Sequence, residues 1–251
     1  MFISTQDLEK IHKDESGLFL DARSYKDYSK GHIPGSVSLD LFSFHWADTS
    51  EKGLVSFGEH MRKILSYTGI DENKKIIFYD NTSGMLAARG VWLCLYFSHP
   101  DVQMLDGGLS KWTGENLPTV TESTIYKPSQ LSTPIDPSII IGSEELNEKI
   151  AEITIIDARS PDEFNGTIPR AARGGHIPTA KNIDWTNNLD DSGKLKSDNE
   201  LESLYQIDKD IQIVTYCQGA YRAANSYLSL KKIGFKNVKC ILVVGENGEM
   251  T

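Results

Sequence analysis

The feature that most constrains the fold of this 251-residue chain is an internal repeat. Three short segments of the first half recur, in the same order, in the second half. The matched pairs are residues 18–24 with 154–160, 31–34 with 175–178, and 76–80 with 213–217. Three ordered matches at nearly one offset indicate a duplicated domain. We therefore expect two halves with the same architecture.

Each half alternates apolar, β-branched runs with longer segments of helical pattern. This alternation is typical of an α/β fold, with a parallel sheet flanked by helices in each half. The predicted helices cover residues 5–12, 59–67, 86–97, 143–151, 199–205 and 223–232, and the last strands cover 102–105 and 238–243. Four prolines fall within residues 113–137 among many serines and threonines, a composition that predicts a surface linker. The predicted domains are residues 1–118 and 138–251, joined by a linker at 119–137.

Composition limits the classes of partner. The formal net charge of −9 disfavours nucleic acid and acidic membrane surfaces. Residues 1–7 lack the pattern of a signal peptide, and no apolar run approaches the ~20 residues of a membrane span. Three widely spaced cysteines argue against a disulfide framework or a zinc site. We expect a cytoplasmic protein that needs no metal or cofactor.

The most informative stretch begins where a β-branched run ends at Cys217. A short loop containing Gly219 follows, and a helical pattern begins at Arg222. Backbone N–H groups at a loop and helix start form a cradle for anions, and they stabilise a thiolate placed there. The residues expected to line the cradle are Gln218, Gly219, Ala220, Tyr221 and Arg222. The pattern predicts a nucleophilic thiolate that faces an anionic sulfur or phosphorus substrate.

At this point the chain resembles the tandem-domain rhodaneses, the thiosulfate and 3-mercaptopyruvate sulfurtransferases. The resemblance rests on Asp-Ala-Arg at 21–23 and 157–159, on both Gly-His-Ile-Pro turns, on residues 106–112 and on the Cys217 loop. It implies an inactive first domain, with Asp80 in place of the cysteine, and a catalytic second domain. It also implies that Cys217 takes sulfur from a small donor such as thiosulfate, as a persulfide. The sulfur then passes to a thiophilic acceptor such as cyanide, a thiol or a protein thiol.

Departures from the family pattern bear on the donor. The loop from Cys217 to Arg222 resembles bacterial thiosulfate-type loops, which begin Cys-Gln and end in Arg, more than those of mercaptopyruvate enzymes. Glu163 stands where many members carry an arginine that binds the substrate anion. We therefore expect Arg222 to supply the positive charge, which favours thiosulfate. The alternatives are 3-mercaptopyruvate as the donor and a sulfur-relay module that serves another protein. A phosphatase is disfavoured because its Cys-x5-Arg loop has one residue more.

Several other residues have two readings. Asp157 and Arg159 either form an ion-pair network that supports the loop or contact substrate, and Arg159 fits the first role better. His32 and His176 are expected to be turn residues, and Cys94 to lie in the core. The segment 166–175, with Arg170 and Arg173, predicts a solvated loop, with a smaller chance of contributing charge to the substrate site.

The sequence after Lys239 lacks the Gly-Ser-Trp-x-Glu-Trp ending usual in this family. Permitted codons for residues 240–251, read in a shifted frame, encode that ending. This suggests a frameshift near Lys239 as a hypothesis.

Overall fold

Both halves of the chain fold as alternating strands and helices in the computed structural model, which describes residues 1–14, 16–46, 48–169 and 174–242. The described residues form two compact units. Unit 1 groups Met1–Phe44, Phe57–Asp136 and Asp190–Leu195, and unit 2 groups His45–Ser56, Pro137–Leu189 and the residues from Lys196 onward. A short segment from each half of the sequence therefore belongs to the unit built mainly from the other half.

The first half of the sequence provides a five-stranded parallel sheet with the strand order β1-β5-β4-β2-β3. Its strands are β1 (Phe2–Ile3), β2 (Gly17–Asp21), β3 (Val37–Ser38), β4 (Lys75–Tyr79) and β5 (Val102–Leu105). Its helices are α1 (Thr5–Lys13), α2 (Tyr25–Tyr28), α3 (Glu51–Tyr67), α4 (Met85–Tyr96) and α5 (Gly108–Gly114). The central strands are apolar on both faces, as a parallel sheet covered by helices requires.

The second half provides a four-stranded parallel sheet with the order β7-β6-β8-β9. Its strands are β6 (Thr154–Asp157), β7 (Lys181–Asn182), β8 (Ile213–Tyr216) and β9 (Val238–Cys240). Its helices are α6 (Ser143–Lys149), α7 (Pro161–Phe164), α8 (Asp198–Tyr205) and α9 (Tyr221–Lys232). The predicted α/β class, with a parallel sheet in each half, is confirmed.

The repeat extends to strand register. Asp21 of β2 pairs with Tyr79 of β4, and Asp157 of β6 pairs with Tyr216 of β8. The strands are parallel, so the residues that follow Tyr79 and Tyr216 lie at the same edge of their respective sheets. Cys217 therefore occupies, in its own sheet, the position that Asp80 occupies in the other.

Several predicted bounds differ from the structure by one or two residues, and three differences are larger. Helix α3 begins at Glu51 rather than at residue 59, because local propensity underestimates a first turn that contains Gly53. Strand β1 was missed because two residues give no periodic signal. Strand β9 ends at Cys240, earlier than the predicted strand end at residue 243. Residues 243–251, which make up most of the altered ending at 240–251, and Arg170 and Arg173 lie outside the described residues.

Nearly all of the predicted linker belongs to unit 1, which includes the chain up to Asp136. Val120 pairs with His32 in an isolated antiparallel bridge, and the side chain of Leu131 is buried. The guanidinium of Arg62 donates to the carbonyls of Leu131 and Thr133 at 2.9 and 2.7 Å. The backbone of this stretch is thus held by long-range contacts. The domain boundaries at 118 and 138 stay a prediction. Across the part of the chain that the structure describes, no helix is long and apolar enough to span a membrane.

Candidate active site

Cys217 lies directly after β8, whose four residues are all buried. Its side chain is itself buried, with 1 % of the residue exposed, and the next two residues, Gln218 and Gly219, are partly exposed. Helix α9 begins at Tyr221, so only three residues separate the cysteine from the helix. The short connection keeps the thiol beside the helix N-terminus, where backbone N–H groups lack partners within the helix.

The loop turns at Ala220, which adopts the left-handed conformation with φ = 63°. This conformation costs a non-glycine residue ~1 kcal/mol, so the surrounding fold must hold it in place. Ala220 is fully buried, which supplies that restraint. The glycine of the loop, Gly219, has a different role. A Cβ added there would lie 2.9 Å from Nε2 of His45, so a side chain at 219 would displace the His45 imidazole.

His45 is a site residue that sequence reasoning missed. It belongs to the segment His45–Ser56 of unit 2, and its imidazole stacks on the ring of Tyr221 with centroids 5.3 Å apart. Tyr221 is buried, whereas His45 is exposed. The contact joins positions 176 residues apart in the chain, and no local pattern around His45 indicates it. The exposed imidazole therefore lies directly over the Cys217 loop.

Arg222 lies in the first turn of α9 with its guanidinium largely buried. It forms a two-pronged ion pair with Glu163, with Nη1–Oε2 and Nη2–Oε1 distances of 2.5 and 3.0 Å. Burial acts to lower the pKa of Arg222, but hydrogen bonds to Glu163 and to the sulfur of Cys217 raise it overall. The charge of the guanidinium is thus balanced by a fixed carboxylate. The expected free positive charge beside Cys217 is partly neutralised.

Glu163 is held in place by helix α7. The side chain of Ser160 accepts the N–H of Glu163, and a carboxylate oxygen of Glu163 accepts the N–H of Ser160, which forms a capping box. Burial acts to raise the pKa of Glu163, but the hydrogen bonds and charge of Arg222, with help from Ser160, lower it to about 2. The Glu163–Arg222 pair therefore stays ionised over the working pH range of most enzymes.

Asp157 and Arg159 form a hydrogen-bond network that reaches Tyr216, the last residue of β8 and the residue before Cys217. The Nε and Nη2 atoms of Arg159 donate to Asp157 at 2.9 and 2.6 Å, and Nη2 also donates to the Gly175 carbonyl at 2.8 Å. The hydroxyl of Tyr216 donates to the Asp157 carboxylate at 2.5 Å and accepts the N–H of Ile177 at 3.2 Å. The network thus ties the Asp-Ala-Arg segment and the Gly-His-Ile-Pro turn to the residue before Cys217.

The first half contains a closely similar network. Arg23 binds Asp21 at 2.6 Å and the Gly31 carbonyl at 2.8 Å, and the hydroxyl of Tyr79 accepts the N–H of Ile33 at 3.1 Å. The two motifs therefore build the same turn in both halves, whether or not a cysteine follows.

The two histidines of these turns serve structure. His32 and His176 stack on Tyr28 and Phe164 with centroids 3.7 Å apart in both cases. Each also places Nδ1 within 2.9 Å of the carbonyl of its stacking partner. Cys94 is fully buried in α4, as predicted.

Asp80 occupies the cradle of the first half. Its Oδ1 accepts the N–H groups of Thr82 and Gly84 at 3.0 and 3.1 Å. Its Oδ2 accepts those of Leu86 and Ala87, both at 3.1 Å. Burial raises the pKa of Asp80, while these four N–H groups act in the opposite direction. The strand end and helix start of this architecture can therefore surround one anionic group with four backbone donors.

Known proteins resemble this chain over most of its length. The rhodanese-like domain family matches residues 4–115 and 143–243. The sulfur carrier protein TtuD of Thermus thermophilus is 34% identical over 230 residues, which cover 84% of this chain and 80% of that protein. A provisionally named thiosulfate sulfurtransferase of Mycolicibacterium smegmatis is 31% identical over 254 residues, covering 95% of this chain and 91% of that protein.

A solved structure agrees with these matches. The 3-mercaptopyruvate sulfurtransferase SseA of Escherichia coli superposes with a TM-score of 0.81 at 25% identity, covering 100% of this chain and 99% of that one. The repeat, the two parallel sheets and these matches lead to one conclusion: the chain belongs to the rhodanese family of sulfurtransferases and carries a rhodanese-like domain in each half.

Proposed function

We propose that this protein transfers sulfane sulfur from thiosulfate to a thiophilic acceptor through a persulfide on Cys217. The observation that carries the proposal is the position of Cys217 between the end of β8 and the start of α9, with Arg222 in the first turn of that helix. A thiol beside a helix N-terminus and a guanidinium has the surroundings of a reactive cysteine. Burial of its side chain protects the intermediate from competing reactions.

The reaction has two displacement steps. The Cys217 thiolate attacks the outer sulfur of thiosulfate, a new S–S bond forms to Cys217, and the S–S bond of thiosulfate breaks. Sulfite leaves with the electron pair, so the negative charge of the thiolate ends on the persulfide. An acceptor such as cyanide then attacks the terminal sulfur, and the Cys217 thiolate is regenerated. Division of one transfer into two displacements is nucleophilic catalysis.

We propose that the backbone N–H groups of Gln218, Gly219, Ala220, Tyr221 and Arg222 stabilise the anionic persulfide. The four N–H groups around Asp80 support this role, because they surround a carboxylate at the equivalent position of the first half. Anion binding by such a cradle requires only a bare backbone and a helix start.

We propose that Asp157 and Arg159 are positioning residues. Asp157 accepts a hydrogen bond from Tyr216, and Arg159 donates to the Gly175 carbonyl. In the half without a cysteine, Arg23 likewise binds Asp21 and the Gly31 carbonyl. We further propose that catalysis belongs to the domain at 138–251 and that the domain at 1–118 carries none. The three free thiols suit a reducing compartment, and we propose the cytoplasm.

The donor and acceptor have two alternatives. 3-Mercaptopyruvate is the donor suggested by the likeness to SseA. A sulfur-relay role, in which a protein thiol accepts the sulfur, is suggested by the likeness to a sulfur carrier protein. Each relies on the same Cys217 persulfide and differs in the molecule that loads or unloads it.

The test is the intact mass of the purified protein after incubation with thiosulfate or with 3-mercaptopyruvate. We expect a gain of one sulfur atom with thiosulfate, retained in Cys94→Ala and absent in Cys217→Ser. Release of thiocyanate after addition of cyanide identifies the small-molecule enzyme. A persulfide that is unloaded only by a protein thiol identifies the relay. The absence of any gain with both donors, in protein that unfolds cooperatively, contradicts the proposal.

A further inference from the structure

We propose that Glu163 sets the charge selectivity of the Cys217 site: by pairing with Arg222 it cancels the positive charge beside the thiol and so disfavours doubly charged sulfur donors relative to singly charged ones. This inference rests on the proposed function for its substrate. It concerns a residue that belongs to neither the nucleophile nor the backbone cradle.

The geometry supports cancellation rather than a loose surface contact. Each terminal nitrogen of Arg222 donates to one carboxylate oxygen of Glu163, Nη1 to Oε2 at 2.5 Å and Nη2 to Oε1 at 3.0 Å. The side chains are 4 % and 15 % exposed, so water screens the pair weakly. A two-pronged guanidinium–carboxylate pair in such surroundings is held in one geometry.

The pair lies where an incoming anion would be attracted. Arg222 lies in the first turn of α9, five residues after Cys217, so its charge acts on an anion that approaches the Cys217 loop. Glu163 supplies an opposite charge from a fixed position, anchored by the Ser160 capping box. An anionic donor therefore meets a pair whose formal charges sum to zero, in addition to the backbone N–H groups of the loop.

The donors differ in charge. Thiosulfate carries two negative charges, and 3-mercaptopyruvate carries one on its carboxylate at neutral pH. Removal of the Glu163 charge attracts the first more strongly than the second. At the effective dielectric constant of ~20 that applies to pairs in proteins, the loss of one unit charge beside the site changes such a ratio by about tenfold or more. We expect kcat/KM for thiosulfate, relative to that for 3-mercaptopyruvate, to rise by about this factor in Glu163→Gln.

A second readout does not depend on sulfur transfer. Cys217 is alkylated with iodoacetate, which is anionic, and with iodoacetamide, which is neutral, and the ratio of the two rate constants is measured. Both reagents react with the same thiolate population, so the ratio reports the local charge alone. We expect the ratio to rise about tenfold in Glu163→Gln. Asp162→Asn, which removes the same charge from the exposed neighbour, is expected to leave it nearly unchanged.

A neutral double variant covers the case in which Glu163→Gln fails to fold. Glu163→Gln with Arg222→Gln replaces the ion pair by two amides of similar shape and leaves no uncompensated charge. If the ion pair is neutral in effect, this variant keeps the wild-type alkylation ratio. A fall of about tenfold in the double variant, or an unchanged ratio in a folded Glu163→Gln protein, overturns the proposal. Because alkylation needs no sulfur donor, failure of the proposed function is detected separately, by the mass measurement.

Discussion

The Glu163–Arg222 ion pair predicts a specific pH dependence of stability. The pKa of Glu163 falls from its ordinary value of 4.5 to about 2 in the folded protein, so the carboxylate stabilises the fold above about pH 4.5. That contribution is lost as the pH falls towards 2, where the folded state also takes up the proton. The drop in pKa corresponds to about 3.5 kcal/mol at neutral pH and to about 1.5 kcal/mol at pH 3.

The assay is urea unfolding of the wild type and of Glu163→Gln, followed by circular dichroism at several pH values between 7 and 3. We expect the wild type to be more stable at pH 7. We also expect the difference in unfolding free energy to narrow by about 2 kcal/mol by pH 3. Other effects of the substitution, such as the unpaired charge left on Arg222, do not vary over this range, because arginine stays protonated. The narrowing therefore isolates the titration of Glu163.

Asp162→Asn is the matched control, since Asp162 precedes Glu163 on the same helix and is exposed. Its stability difference from the wild type is expected to stay within about 0.5 kcal/mol across the range. A difference between wild type and Glu163→Gln that is equal at pH 7 and pH 3 would show that the carboxylate is not held as an ion pair. The reasoning on charge cancellation at the site would then fall with it.

Three further substitutions test the supporting geometry. Tyr216→Phe removes the hydroxyl between Asp157 and Ile177, and we expect it to lower the free energy of unfolding by about 1–2 kcal/mol and to slow persulfide formation. Tyr79→Phe, its counterpart in unit 1, should cost a similar free energy of unfolding without slowing persulfide formation. Equal rates of persulfide formation in the two variants would refute a positioning role for this network. Asp80→Asn leaves two of the four backbone N–H donors facing an amide NH2, so we expect thermal unfolding to show a free energy of unfolding lower by about 3 kcal/mol. An unchanged free energy of unfolding would contradict an ionised carboxylate in that cradle. Gly219→Ala places a Cβ 2.9 Å from His45, and we expect it to lower the free energy of unfolding by about 1 kcal/mol. Gly114→Ala is the control, because the added Cβ there meets nothing within 4 Å, and it should not lower the free energy of unfolding. Similar melting curves for the two variants would show that position 219 tolerates a side chain.

Much of the fold could be predicted because its signals are local or repeated. Buried strands such as β8 show as β-branched runs, and the repeat of the Asp-Ala-Arg segment fixes which strands correspond. The position of Cys217 at a strand end follows from the same run. These features depend on the character of neighbouring residues, which the sequence displays directly.

The charge state of the site could not be predicted, because it depends on pairs distant in the chain. Glu163 and Arg222 are 59 residues apart, and nothing in either segment indicates that the two side chains meet. The sequence shows that residue 163 is a glutamate where many family members carry an arginine. It does not show that this glutamate forms an ion pair with Arg222. In the loop, propensity favours Gly219 as the left-handed residue, yet the structure places Ala220 there. Gly219 instead lies against the imidazole of His45, a tertiary contact that the local sequence does not indicate.

The two halves differ in what fills an otherwise similar cradle. In the first half, the Asp80 carboxylate accepts four backbone N–H groups and cannot be displaced by a substrate, because it is part of the chain. In the second half a cysteine stands at that position, and the carboxylate of Glu163 binds the guanidinium of Arg222. A thiol, unlike a carboxylate, can take up a sulfur atom and release it again. We infer that the exchange of aspartate for cysteine and the placement of the second carboxylate on Arg222 together separate a structural anion site from one suited to carry a transferable sulfur.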